Sequence, residues 1–487
     1  MSSLISPPQI PTLKQALMDT RSPRIEWKTS LPSSVDVSII GGGFCGLVTL
    51  VQLLRKSFTG TVALYERTAR HRPGVAFGES KKHHLLNVPV GKMSAFESEP
   101  NSFFNYLNRL YPGEFTESDF ARRSDYGEYL LELLHLELQT SKATVHFIRG
   151  SVERIIESEN GFKLTLITNQ IILTRSIVLA TGIEESKFAP GVDASVKDSP
   201  QYIQTPWTIS HLNSIPRDAE VVILGTGLTA IDVLLSLVVS NHSGPIRIIS
   251  RNGRFPKTKA LDKAPSDLKV PVPLFSADLN GMVSIFRKFV KDLKSKNISW
   301  QHAIDLLRPH TQTIWKQLTL KERKRFLRHL RPFWEVHRHR ATEDSLVVVN
   351  NLIAEGKLIQ IKAKIKTLEV DSNKKLFLLL RSRNGEMRLG ADYVINCIGP
   401  SINLSKGSEP LLINAINDSV LRLDALSIGI DCDDIGRARR THSGVHKNLF
   451  VVGALRRASL WESTAVPELR KQTEQIAEYL VNSSFES

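Results

Sequence analysis

Residues 35–66, VDVSIIGGGFCGLVTLVQLLRKSFTGTVALYE, constrain the fold more than any other stretch of the chain. Val35, Val37, Ile39 and Ile40 read as a buried strand, Leu47 to Leu54 as a helix, and Thr61 to Tyr65 as a second strand ending on Glu66. Gly41, Gly43 and Gly46 join strand to helix as G-x-G-x-x-G. The first glycine permits the tight turn, the second lets a pyrophosphate approach the backbone, and the third lets helix and strand pack closely. The N–H groups at the helix start face the phosphate charge. An acid about 20 residues past the glycines is placed to accept from ribose hydroxyls, and Glu66 is that acid. Phe44 and Cys45 inside the turn, and Arg67 after the acid, are counted with this cofactor face. The plain alternative is a glycine-rich turn in an ordinary α/β domain.

The pattern then repeats. AEVVILGTGLTAIDVLLSLVVS carries Gly225, Gly227 and Ala230 on another strand-to-helix junction, and IRIISRNGRFP follows as its second strand. Each turn is followed by a run of strands with a small-residue end. The first run, TVHFIRGSVERII, GFKLTLITN and QIILTRSIVLATG, ends on Ala180, Thr181 and Gly182. The second, IQIKAKIKTLEV, KLFLLLRSR and ADYVINCIG, ends on Gly399. Two fingerprints in matching contexts predict two dinucleotide sites. At the second, no acid closes the strand; Ser250, Arg251 and Arg254 sit there instead. An arginine pairs with a 2′-phosphate, so NADPH is favoured over NADH. Solvated surface arginines in a basic protein are the plain alternative.

At 487 residues the chain has room for two or three domains. Three distant cysteines, Cys45, Cys397 and Cys432, argue against a disulfide scaffold and a zinc cluster, and the absence of C-x-x-C disfavours a dithiol reductase. A net charge of +15 suits nucleotides, acidic substrates, nucleic acid or anionic lipid without choosing among them. The first twenty residues lack an apolar signal core, and residues 221–240, apolar enough to suggest a membrane span, hold a glycine turn and Asp232. A cytoplasmic protein with no membrane partner is expected.

Residues 67–100 read as loop with short extended pieces, placed to run along a cofactor. SFFNYLNRL and SDYGEYLLELLHLELQT have helical spacing. A basic helical stretch, about 276–345, mixes arginines with Trp315, Phe326, Phe333 and Trp334. It reads as core aromatics under a charged face, with RNA contact as the alternative. His329, His337 and His339 lack acidic or thiol partners at metal-ligand spacing, and no metal site is expected. Asn448 to Val452 reads as a strand, followed by Gly453, a loop, and a helix starting near Ser463 or Thr464 with Pro467 and Glu468 in its first turn. Its dipole would suit the negative edge of a reduced flavin.

Five segments, GVAFG (74–78), HLLNVPVGKMSAF (84–96), GTGLTAIDV (225–233), FLRHLRPFWEVHRHR (326–340) and LWESTAVPEL (460–469), resemble the YdhS-like FAD/NAD(P)-binding proteins, a family within the two-dinucleotide-binding flavoproteins. The resemblance runs from about Val35 to Leu480. It implies FAD at Gly41, Gly43, Gly46 and Glu66, at Asn87, Val88 and Met93, and at Thr181 and Gly182. It puts the flavin end near Gly453, Trp461 and Thr464, and NADPH at Gly225, Gly227, Ala230 and Arg251. A looser resemblance is to flavin N-hydroxylating monooxygenases, carried by the methionine loop, the helix around Phe103 to Leu107 and the segment Arg123 to Tyr129. One departure is Gly453-Ala454, where many flavoproteins of the wider group have Gly-Asp on the ribitol. Backbone groups would then hold FAD there.

The expected fold is α/β, with two Rossmann-like domains and a helical insertion: a lead-in at 1–34, an FAD domain at 35–205, an NADP domain at 206–390, and the FAD domain's second part at 391–487. The expected function is that of an NADPH-dependent FAD monooxygenase acting on a small molecule, with no catalytic side chain named because the flavin carries the chemistry. An NAD(P)H:acceptor reductase without oxygen insertion, and a flavoprotein binding RNA or a partner through the basic insertion, stay open as alternatives.

Overall fold

The first glycine turn sits where the sequence puts it, between β1 (Ser34–Ile40) and the helix Phe44–Arg55, with β2 (Thr61–Glu66) following. In this computed structural model the described residues are 25–68, 73–78, 83–182, 188–207, 209–259, 262, 264–400 and 403–484. Three more strands continue the first unit: β3 (Thr144–Arg149), β4 (Val152–Ser158) and β5 (Gly161–Leu166). β6 (Ile171–Leu179) returns beside β1. β1 pairs in parallel with β2 on one side and β6 on the other, and β2 pairs in parallel with β3. Val37, Ile39, Leu47, Val48 and Leu50 are buried together, each contributing about 1.5–3 kcal/mol from removal of apolar surface.

The second unit contains β7 (Tyr202–Ile203), β8 (Val221–Leu224), the helix Leu228–Val239 and β9 (Ile246–Ser250). Later come β10 (Leu358–Lys362), β11 (Lys364–Val370), β12 (Leu376–Ser382), β13 (Gly385–Ala391) and β14 (Tyr393–Asn396). A parallel five-stranded sheet runs β10-β9-β8-β14-β7, and β11-β12-β13 form a separate antiparallel sheet. The chain then re-enters the first sheet through β15 (Arg437–Arg439) and β16 (Val445–Val451), which lies parallel to β6. The helix Val466–Ser484 closes the unit, its Ile476, Ala477 and Leu480 buried against Leu47 and Val51. This is the α/β architecture with two Rossmann-like units and a helical insertion.

Several details differ from the sequence reading. TVHFIRGSVERII is two strands broken at Gly150-Ser151, and IQIKAKIKTLEV is two strands broken at Ala363. Each break falls where the chain leaves the edge of a parallel sheet for an antiparallel one, a choice made by tertiary pairing rather than by local periodicity. β14 belongs to the second sheet, so that unit reaches past residue 390. Residues 25–33 do not hang free as a lead-in. Lys28 exchanges backbone hydrogen bonds with Phe147 and Arg149 of β3, and Trp27 packs edge-on against Phe147 at 5.8 Å. Residues 1–24 of that lead-in lie outside the described residues. Within 67–100, Gly74–Gly78 is a short helix and Val90–Lys92 a 3-10 turn.

The insertion comprises the helices Leu279–Ser295, Trp300–Leu307, Thr311–Gln317, Leu320–Arg325 and Arg331–Arg338. A π-helical turn, Phe326–Leu330, links the last two. Pro332 accounts for it: proline has no N–H to give to the preceding turn, and its ring crowds the carbonyl four residues back.

Candidate active site

The two glycine turns are built alike. Gly41 has φ +113 and Gly225 φ +103, values that side chains rarely adopt. A Cβ on Gly41 would lie 2.5 Å from the Ala180 carbonyl, and one on Gly225 2.5 Å from the Cys397 carbonyl. A side chain at either would push the turn off the strand beside it. The helix N-caps also match: Gly43 has φ −76 and ψ −170, Gly227 φ −78 and ψ −173, and neither helix carries a side-chain cap. A Cβ on Gly43 or Gly227 would meet no atom within 4 Å. These two glycines therefore leave space in front of uncapped N–H groups, the arrangement that accepts a phosphate. Gly46 is different in kind, because its Cβ would fall 1.9 Å from the Gly41 carbonyl. Ala230, its counterpart, is fully buried, and its N–H reaches the Gly227 carbonyl at 3.0 Å.

Around the first turn the structure gathers most of the expected residues. Glu66 accepts from the Gly42 N–H at 3.0 Å and from the backbone and hydroxyl of Thr68 at 3.1 and 2.7 Å. A carboxylate has about four acceptor positions, so capacity for ribose remains. Thr181 keeps a buried hydroxyl with no hydrogen-bond partner, and Gly182 has φ +75 with open space where a Cβ would be. Gly453 closes the other side. A Cβ there would sit 2.9 Å from Cys45 Sγ, and its N–H donates to Gln472 Oε1 at 3.0 Å. Phe44 is buried against Tyr126, while Met93 is buried in the same core. Asn87 and Val88 are half-buried on the segment leading to it. Arg67 instead reaches Glu409 at 3.2 Å.

Burial pushes the thiols of Cys45 and Cys432 up to about 12, and raises Cys397 as well. Cys45 keeps some surface, but its sulfur is enclosed against Gly453. All three cysteines are free. None is poised as a thiolate nucleophile at neutral pH.

At the second turn, Thr226 does work that the sequence reading missed. Its hydroxyl donates to the Arg254 carbonyl at 2.6 Å and lies 3.2 Å from Ser250 Oγ, which accepts from the Gly253 N–H at 2.9 Å. The arginine-bearing loop is thereby tied to the glycine turn. Arg251 is exposed at the end of β9. Arg254 lays its guanidinium 3.9 Å from the centre of the Phe333 ring.

The C-terminal helix starts at Val466, later than expected. The Ala465 carbonyl accepts from the N–H groups of Glu468 and Leu469, while Ser463 turns inward and its hydroxyl donates to the Gly453 carbonyl at 3.3 Å. Thr464 is exposed. Tertiary contact with Gly453 takes the hydroxyl that would otherwise cap the helix.

Glu462, which the sequence did not single out, is 7% exposed and has φ +68. Burial alone would raise its carboxyl. His339 at 3.4 Å, Arg338 at 3.5 Å and the Trp334 indole at 2.6 Å outweigh it and hold the group at about 2. Arg340 pairs with Gln301 and Asp305. His337 donates through Nδ1 to the Phe333 carbonyl at 2.7 Å. Among the described residues, no group of three or more His, Cys, Asp or Glu could hold a metal ion.

Trp461 does not lie with the glycine turn. It stacks on Trp315 at 4.7 Å, with Phe326 edge-on at 5.6 Å, on the wall of a cavity of about 730 Å³ inside the insertion. Trp315, Phe326 and Trp334 do join a hydrophobic core, as expected, while Phe333 is exposed. That this core also walls a hollow is decided by tertiary packing.

The comparisons with known proteins agree with this architecture. Residues 38–184 match a family described as FAD-NAD(P)-binding. An L-aspartate oxidase from Pyrococcus abyssi is 25% identical over 173 residues, covering 30% of this chain and 37% of that protein. The chain thus spans little more than a third of that relative. Among solved structures, the reduced form of an ornithine hydroxylase from Pseudomonas aeruginosa superposes with a TM-score of 0.62 at 15% identity, covering 92% of this chain and 99% of the other. An ornithine N-hydroxylase from Kutzneria, solved with reduced FAD, NADP+ and L-ornithine, gives 0.61 at 14% identity over 93% and 100%. A cadaverine monooxygenase from Erwinia amylovora bound to FAD gives 0.63 at 12% identity over 93% and 95%. Identities this low speak for the fold, and that fold extends over nearly the whole chain. No helix among the described residues is long and apolar enough to cross a membrane.

Proposed function

We propose that the chain is an FAD-dependent, NADPH-using oxidoreductase, and within that class a monooxygenase acting on a small molecule. The observation that carries the reading is the pair of matching phosphate cradles, Gly43 and Gly227. Their setting supports it, since nearly the whole chain shares its fold with N-hydroxylating flavoenzymes. The motif likeness to the YdhS-like proteins points the same way.

FAD fits the first cradle and NADPH the second. Gly41, Gly43 and Gly46 shape the first, with Glu66 at the ribose end and Thr181-Gly182 at the end of β6, where Gly182 leaves open space. Gly453, packed on Cys45, supplies backbone where an acidic ribitol contact is missing. Gly225, Gly227 and Ala230 form the second cradle, and Arg251 is placed for a 2′-phosphate. When bound, FAD supplies two-electron transfer and oxygen activation. The overall balance is one oxygen atom of O2 into substrate and the other into water, with two electrons and a proton from NADPH and another proton from solvent. The protein binds, orients and excludes water. NADPH as reductant and three unpaired cysteines fit a cytoplasmic setting.

Anaerobic mixing of the FAD-loaded protein with NADPH tests this. The flavin's visible absorbance should bleach faster with NADPH than with NADH. Admission of oxygen should then return it slowly enough for substrate to be oxygenated. Bleaching with immediate reoxidation and no oxygenated product would make it an acceptor reductase. Failure to bind FAD would overturn the reading.

A further inference from the structure

The cavity in the insertion is linked to both cradles through neighbouring residues. At one end Trp461 stands two residues before Ser463, which is bonded to Gly453. At the other, Phe333 is 49% exposed at the rim under Arg254, whose carbonyl accepts from Thr226 of the second glycine turn. Its volume, about 730 Å³, is that of a small-molecule site. Resting on the oxidoreductase reading, we propose that this cavity is the substrate pocket and that its substrate is an apolar aromatic molecule, neutral or anionic, held against the aromatic wall.

Three observations select that chemistry. The first is that the wall offers little polar recognition. Trp315 donates its indole N–H to the Ala458 carbonyl at 2.7 Å, Trp334 donates to Glu462 at 2.6 Å, and the Nε1 of Trp461 is buried out of a ligand's reach. A guest is therefore held by apolar contact.

The second is charge. The ionisable side chains on the wall are Lys257, Arg287 and His337, with no carboxylate among the described lining residues. A protonated amine would lose its hydration there and find no counter-charge. A neutral or anionic aromatic meets no such penalty, and the basic groups favour the anion.

The third is shape. The π-helical turn contributes Phe326 and Leu330 to the wall, and the half-buried rings of Phe286, Trp300 and Trp334 line it beside them. Such turns are frequent at functional sites. Planar walls select planar guests through stacking.

The test uses the full chain loaded with FAD and the planar aromatic anion 1-anilinonaphthalene-8-sulfonate. One probe should bind per chain, and 1,5-diaminopentane should not displace it. Trp300→Ala, which removes an aromatic ring from the wall, should weaken binding about tenfold. Met282→Trp, also on the wall, should abolish binding while FAD content stays unchanged. Binding indifferent to both substitutions, or displaced by the diamine, would overturn the proposal. Release of the probe as protein concentration rises would mean that a second copy covers the cavity, and would also overturn it. NADPH bleaching of the flavin without probe binding removes the pocket and leaves the oxidoreductase reading. Probe binding without bleaching removes the oxidoreductase reading and, with it, the assignment of the pocket's ligand as substrate.

Discussion

Arg123 and Asp232 join the two nucleotide-binding units through a buried two-point ion pair, with Nη1–Oδ2 at 2.8 Å and Nη2–Oδ1 at 3.3 Å. Their side chains are 14% and 9% exposed. Arg123 opens the helix Arg123–Thr140 of the first unit, and Asp232 sits one turn into the second glycine-turn helix. Burial raises the Asp232 carboxyl while Arg123 draws it back down. Nearby, His83 and His84 both reach Ser236 of the same helix, at 3.0 and 3.1 Å. The second cradle is thereby braced against the first.

Removing one member of that pair should leave an uncompensated buried charge. Arg123→Ala is expected to cost about 3–5 kcal/mol in unfolding free energy. Adding Asp232→Asn should recover part of it. Chemical denaturation of both variants checks this, and an additive double variant would deny the coupling.

Gly43 and Gly46 should respond in opposite ways. Gly43→Val places its side chain in open space at an ordinary φ, so the FAD-free protein should melt unchanged and fail to take up FAD. Gly46→Ala drives a Cβ into the Gly41 carbonyl and should cost about 3 kcal/mol or more before any cofactor is added. Thermal melts with FAD titration separate the two effects.

At the second cradle, Gly227→Val should abolish NADPH reduction while FAD stays bound. Arg251→Ala should raise KM for NADPH about tenfold and leave NADH nearly unchanged, the loss of one charged contact being worth about 1.4 kcal/mol. Equal effects on both nucleotides would remove the arginine from the 2′-phosphate site.

Glu462 gives the protein an acid-sensitive joint. Its carboxyl sits at about 2 when folded against an ordinary 4.5, so between these values the folded state binds fewer protons than the unfolded state. The stabilisation is complete above about pH 4.5 and is lost as pH falls through about 2. Melting temperature should fall over that window in the parent protein and fall less steeply in Glu462→Gln. Parallel slopes would mean that other carboxylates carry the effect.

Much of this molecule follows from local rules. The strand–glycine turn–helix units at 34–55 and 221–239, the acid at Glu66, and the absence of one after β9 are matters of spacing and of backbone freedom at Gly41 and Gly225, and these act over a few residues. What only the tertiary structure decided involves groups distant in the chain. Ala180 and Cys397 carbonyls make the two turns demand glycine, because each lies on a strand that arrives beside the turn only after the sheet has formed. Ser463 spends its hydroxyl on Gly453 instead of capping a helix, and Glu462 is charged because Trp334, Arg338 and His339 come to it from the insertion. Trp461 lies far along the chain from Trp315 and Phe326, so only tertiary packing decided that the three meet in one core, that this core also walls a cavity, and that the Trp461 N–H is left without a partner.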